Sequence, residues 1–196
     1  GWQQAVSFSP DGKKLIFDQS SAERRPAVWV LPMEGDREPR PFAATAFPEG
    51  AGKFSPDGKW VVYCSMESGK AEIYVQPWPG PGPKIQISSE GGTDPTWNRL
   101  GHEIFYRNGD QMMVVPVETA GEFEPGAPRL LWEGRYSQGM SSSCGPPGVS
   151  SSNYDVTADG QRFLMIKDDG QEVGSTSIVV VLNWAEEMKR AMRTAG

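Results

Sequence analysis

Phe54-Ser55-Pro56-Asp57-Gly58-Lys59-Trp60-Val61-Val62-Tyr63 decides the fold, because Phe8-Ser9-Pro10-Asp11-Gly12-Lys13-Lys14-Leu15-Ile16-Phe17 nearly repeats it. A string that recurs along a chain marks a repeat architecture. Within it, Pro10 and Pro56 preset φ for the second position of a type I turn, and the Asp11 and Asp57 carboxylates can accept nearby backbone N–H groups. Gly12 and Gly58 supply the left-handed conformation that closes a hairpin as a bulge. These residues are read as turn formers rather than as catalytic or metal-binding groups.

Working outward, each corner sits between strand-like runs. The first unit has strands at Ala5–Ser9, Lys14–Asp18, Ala27–Leu31 and near Arg40–Ala44. The second repeats them at Gly52–Ser55, Lys59–Ser65, Ala71–Gln76 and Lys84–Ser88. A third, with Trp97-Asn98-Arg99-Leu100-Gly101 in place of the corner, has lost both Pro and Asp; its later strands fall at Glu103–Tyr106, Gln111–Val117 and Arg129–Trp132. A fourth carries Thr157-Ala158-Asp159-Gly160, with Asp159 and Gly160 again as turn residues, then strands at Gln161–Lys167 and Thr176–Asn183. The corner glycines Gly12, Gly58, Gly101 and Gly160 are 46, 43 and 59 residues apart, near the period of roughly 40 to 50 of four-stranded propeller blades.

The long last interval contains a Gly/Pro/Ser insertion at 137–152, which reads as a loop. Second strands such as Trp60-Val61-Val62-Tyr63-Cys64 and Phe163-Leu164-Met165-Ile166 are apolar at consecutive positions, so both faces are expected to be covered. The reading is therefore all-β: a β-propeller segment of four-stranded antiparallel blades at about 1–46, 47–92, 93–136 and 150–183. After Asn183, Trp184, Met188 and Met192 recur on one helical face, which predicts a short amphipathic helix over 184–192.

Composition agrees with many short strands joined by turns, since Gly (23) and Pro (17) are abundant without a collagen-like period. The net charge of −6, with Lys and Arg scattered, argues against a nucleic-acid partner. No apolar run reaches the length of a membrane span, so no direct insertion is expected. Cys64 and Cys144 suggest neither a disulfide framework nor a zinc site, and Cys144 is read as a free, unspecialised thiol. The opening Gly1-Trp2-Gln3-Gln4, without a methionine, leads to the expectation that the chain is a piece of a longer protein.

The corner followed by an apolar strand, repeated in four-stranded units, resembles the WD40-like Pro-Asp repeat of TolB-type β-propellers. Tyr154-Asp155-Val156-Thr157-Ala158-Asp159-Gly160-Gln161-Arg162-Phe163-Leu164, followed by Ile178-Val179-Val180-Val181-Leu182-Asn183-Trp184, is similar to the final blade of propellers fused behind bacterial serine/threonine kinase domains. That resemblance implies a propeller of six blades or more, of which about four are present, and two open blade faces that favour self-association of the isolated chain. It implies a sensing or docking module, with an extracytoplasmic or periplasmic location.

The residues themselves carry no kinase loop and no Gly-x-Ser-x-Gly elbow, and the single histidine, His102, is read as a solvent-facing turn residue. The segment is read as non-enzymatic, with no cofactor and no metal ligands. What remains is recognition of a protein or small ligand by the propeller loops or the central channel. The candidate surface is Trp78, in the Pro/Gly linker, with Arg135 and Tyr136 at the start of the insertion; Trp78 and Tyr136 are hot-spot residue types that are equally suited to packing between blades. Two other readings stand: an accessory propeller gating a prolyl-oligopeptidase-like hydrolase, or a secreted or periplasmic scaffold without an attached enzyme.

Overall fold

The computed structural model describes residues 1–136, 144, 154–166 and 178–181. Within them the chain is all-β and forms four antiparallel sheets. In the first, β1 (Trp2–Phe8), β2 (Lys14–Ser20), β3 (Ala27–Pro32) and β4 (Arg40–Ala43) pair in chain order. In the second, β5 (Glu49–Phe54), β6 (Trp60–Ser65), β7 (Glu72–Pro77) and β8 (Ile85–Gln86) do the same. The third has β9 (Thr93–Trp97), β10 (Glu103–Asn108) and β11 (Gln111–Glu118); β12 (Glu124–Pro125) and β13 (Arg129–Glu133) both pair with β11. The fourth consists of β14 (Tyr154–Val156), β15 (Phe163–Ile166) and β16 (Ile178–Val181). The two-residue β12 carries no sequence signal of its own and was not expected. The helix expected over 184–192 lies outside the described residues, as does the insertion at 137–152 apart from Cys144.

All four corners close with one hydrogen-bond pattern. Gly12, Gly58, Gly101 and Gly160 donate to the carbonyls of Ser9, Ser55, Asn98 and Thr157, and each glycine has a positive φ. Ser55 Oγ donates to Asp57 Oδ1 (2.5 Å) and accepts the Trp60 N–H (3.0 Å), while Asp57 Oδ1 also accepts the Lys59 N–H. Ser9 with Asp11 and Thr157 with Asp159 repeat this arrangement. In the third corner Asn98 Oδ1 accepts the Leu100 N–H (2.8 Å). In the other three corners the Asp carboxylate accepts a turn N–H as expected, and in the third the Asn98 side-chain oxygen takes over that role, so the turn keeps a side-chain brace without Asp.

The alternation of strand side chains builds the core between sheets. On β6, Val61 and Tyr63 pack toward Ile16, Val28 and Val30 of the first sheet. Trp60, Val62 and Cys64 point the other way, to Ile104, Tyr106 and Val115 of the third. Every residue of β6 is buried, as expected for a strand covered on both faces. Close approach at the first seam requires glycine: a Cβ on Gly52 would lie 2.7 Å from Val28 Cγ1 and 2.9 Å from Ile16 Cγ2. Phe105, Met112, Val114 and Leu131 of the third sheet meet Tyr154, Val156, Phe163 and Met165 of the fourth.

On β15 the expectation of two covered faces is corrected. Phe163 and Met165 are buried, but Leu164 and Ile166 are 43% and 42% exposed. No sheet among the described residues covers that side. The expectation for the cysteines is corrected too: Cys64 and Cys144 form a disulfide across a sequence separation of 80. Both are buried in the cluster between the second and third sheets. Nothing in their spacing announces the pair, because the fold alone returns residue 144 to β6.

Candidate functional site

The first strands of the first three sheets lie side by side, β5 beside both β1 and β9, and in the sheet order of a propeller they take the inner position. These inner strands are irregular. Register shifts occur between Gly50 and Lys53 of β5, and opposite Phe105 and Arg107 where β9 pairs with β10. At the two bulges, Ala51 and Asp94 hold φ values of 56° and 52°, a left-handed conformation that side-chain-bearing residues rarely adopt and that costs about 1–3 kcal/mol. The surrounding structure holds both. Ala51 N–H donates to Oδ2 of the wholly buried Asp18 (2.8 Å), and the Asp94 carbonyl accepts the Tyr154 hydroxyl (2.7 Å).

Between the bulges, Lys53 Nζ donates to Thr96 Oγ1 (2.6 Å), and Trp97 Nε1 donates to the Lys53 carbonyl (3.0 Å). Lys53 also feels the carboxylates of Asp94, Asp155 and Asp18. Four sheets therefore contribute to one polar cluster: Asp18 from the first, Lys53 from the second, Asp94 and Thr96 from the third, and Asp155 from the fourth.

Burial acts on two members of this cluster, Lys53 and Asp94. It pulls the Lys53 amine down to about 8, outweighing the attraction of Asp94, Asp155 and Asp18. It raises the Asp94 carboxyl, against the opposing pull of Lys53, the hydrogen bond from Thr93 and the charge of Arg107. Among the described residues no set of three or more His, Cys, Asp or Glu side chains is arranged to hold a metal ion.

The residues singled out from the sequence lie elsewhere. Trp78 is partly buried at the seam of the first two sheets, its ring 5.7 Å from Phe42 and 5.6 Å from Phe54. Arg135 is exposed, while Tyr136 packs against the cluster between the third and fourth sheets, with the Arg107 guanidinium 5.9 Å from its ring. Trp78 therefore belongs to a different seam from Arg135 and Tyr136. His102 is exposed, and its carbonyl accepts the Val117 N–H. The corner carboxylates are occupied within their own turns; the hydrogen bonds from Ser9 and Thr157, first among several causes, hold Asp11 and Asp159 below the usual carboxylate value.

No protein-family model matches the chain. Its structure is similar to that of TolB from Acinetobacter baumannii, with 19% identity, TM-score 0.60, and coverage of 85% of this chain and 38% of that one. It is also similar to the β-propeller domain of the trilobed protease from Pyrococcus furiosus (10% identity, TM-score 0.55, 92% and 53% covered). A puromycin-hydrolysing peptidase from Mycobacterium tuberculosis matches at 16% identity and TM-score 0.58, with 90% and 29% covered. The fold is therefore a TolB-like β-propeller, and the chain spans about half or less of the length of each of these three proteins.

Proposed function

We propose that this chain is a non-catalytic recognition module within a larger TolB-like propeller protein, binding a protein or small polar ligand at the inner-strand face of the propeller. The observation that carries the reading is the convergence of Lys53, Thr96, Asp94, Asp155 and Asp18 from four sheets, two of them held by strained bulges. Rigid strands holding a concentrated set of polar groups suit binding. The likeness of Tyr154–Leu164 to kinase-fused propellers favours a sensor end of a bacterial serine/threonine kinase as the parent. The buried disulfide supports an extracytoplasmic location, since such bonds persist in oxidising compartments. The peptidase neighbours support a second reading, an accessory propeller that gates a hydrolase site supplied by another part of the protein.

Site-specific photo-cross-linking tests the module. A photoreactive residue is placed in turn at the exposed positions Gln3 and Ala5 of β1, and at Glu38 in the connection between β3 and β4. A discrete adduct from Gln3 and Ala5, absent from Glu38, is expected in cells producing the protein. Equal adducts from all three positions, or none from the inner two, would overturn the reading.

The outer faces of the terminal sheets add an expectation about the chain on its own. Phe8 (58% exposed) pairs with Leu15, and Leu15 with Leu31, on the face of the first sheet turned from the second. Leu164 and Ile166 are exposed on the fourth. Bare blade faces of this kind associate. Light scattering across a dilution series is expected to show a mass above that of a single chain, rising with concentration; a constant single-chain mass would mean that both faces are covered.

A further inference from the structure

The seam between the first and second sheets carries a second polar site at its rim, remote in character from the Lys53 cluster. Lys84 follows the linker Pro77-Trp78-Pro79-Gly80-Pro81-Gly82-Pro83 and precedes β8. Its Nζ lies 2.6 Å from Glu67 Oε2 and 3.6 Å from Glu49 Oε1. It also lies 4.4 Å from the centre of the Tyr74 ring and 5.3 Å from that of Tyr63. Two carboxylates and two aromatic faces thus surround one ammonium group.

The walls are built independently of the lysine. Glu49 is wholly buried; its Oε2 accepts the Thr45 N–H (2.9 Å), whereas Oε1 accepts no hydrogen bond and faces the ammonium. A desolvated carboxylate oxygen in that position calls for a cation. The Tyr63 hydroxyl donates to Gln76 Oε1 (3.0 Å) and that of Tyr74 to Gln86 Oε1 (3.4 Å), which tethers both ring tips. Burial first, and then the Glu49 and Glu67 charges, raise the Tyr63 phenol, so that the ring stays neutral. The plug is held more lightly than the walls. The strand behind it, β8, has only two residues, and Pro79, Gly80, Pro81 and Pro83 ahead of it are exposed.

We propose that Glu49, Glu67, Tyr63 and Tyr74 form a recognition cage for a primary ammonium group, that the chain's own Lys84 fills it, and that an amine-bearing ligand enters by displacing Lys84. The short contact to Glu67 is a charge-assisted hydrogen bond and needs an N–H donor. The cage therefore prefers primary ammonium to quaternary ammonium.

Titration followed by NMR of 13C-labelled tyrosine rings tests this, and with five tyrosines in the chain the assignment is tractable. Methylammonium chloride is compared with sodium chloride at equal ionic strength. In Lys84→Met the Tyr63 and Tyr74 signals are expected to move saturably, at an affinity at least about tenfold above wild type; adding Glu49→Gln is expected to lower it about tenfold. Tetramethylammonium is expected to bind more weakly than methylammonium. Absence of a saturable shift in folded Lys84→Met, equal binding with and without Glu49, or a preference for tetramethylammonium would each overturn the proposal. Should Lys84→Met fail to fold, the wild-type titration decides. Concerted movement of the Lys84 13Cε signal and both rings supports displacement, and their indifference to methylammonium overturns it.

Discussion

Phe163→Ala is expected to cost about 3–5 kcal/mol, a large share of the roughly 5–15 kcal/mol that holds a typical domain folded. Phe163 is 1% exposed and packs edge-on against Phe105 (5.0 Å between ring centres, 88°) and Trp132 (4.7 Å, 75°), with Tyr154 at 6.4 Å. It thereby joins the third and fourth sheets. Truncation removes the buried ring and leaves a void lined by three aromatic residues that cannot all collapse onto it. Guanidinium unfolding monitored by tryptophan fluorescence provides the check. Leu164→Ala, one residue along on the open face, is the internal control and is expected to change stability by less than about 0.5 kcal/mol. Similar losses at both positions would mean that β15 does not present its two faces as described.

Breaking the Cys64–Cys144 disulfide is expected to have an effect of similar size. The bond closes a sequence separation of 80, for which the chain-entropy relation gives about 4.5 kcal/mol. Its removal also loosens the buried contact of Cys144 with the cluster between the second and third sheets. Unfolding curves with and without a thiol reductant should differ for the wild-type chain and coincide for the double variant Cys64→Ala/Cys144→Ala. Alkylation of the non-reduced, denatured chain should find no free thiol. Two free thiols together with unchanged stability would contradict the pairing.

The parts of the fold that were legible from sequence are those encoded by neighbours. Ser9-Pro10-Asp11-Gly12 and Ser55-Pro56-Asp57-Gly58 carry their turn chemistry within four residues, and Trp60–Cys64 states its burial through uninterrupted apolar character. The third corner was recognisable from Gly101 and the flanking strands, although its organiser, Asn98, was not singled out. The inner-strand cluster was not legible. Lys53, Asp94, Thr96 and Asp155 are scattered over three repeats, and only the stacking of sheets brings them together. Two weak signals pointed there: Asp18, a carboxylate ending an apolar run, and Gly52, a glycine inside a strand pattern next to Lys53. The Lys84 cage was invisible for the same reason, since Tyr63 and Tyr74 read as members of two ordinary strands and Glu49 fell outside the strand expected at Gly52–Ser55.

The convergence of four sheets on Lys53 is the claim on which the functional reading rests, and titration of the Lys53 side chain by NMR of its 13Cε tests it most directly. The midpoint is expected at about 8, against the ordinary 10.5 of an unburied lysine. Between those values the unfolded chain holds more protons than the folded one, so this group makes stability rise with pH from about 8 to about 10.5. A midpoint near 10.5 would mean that Lys53 stands in water, and that the sheets do not enclose it as described.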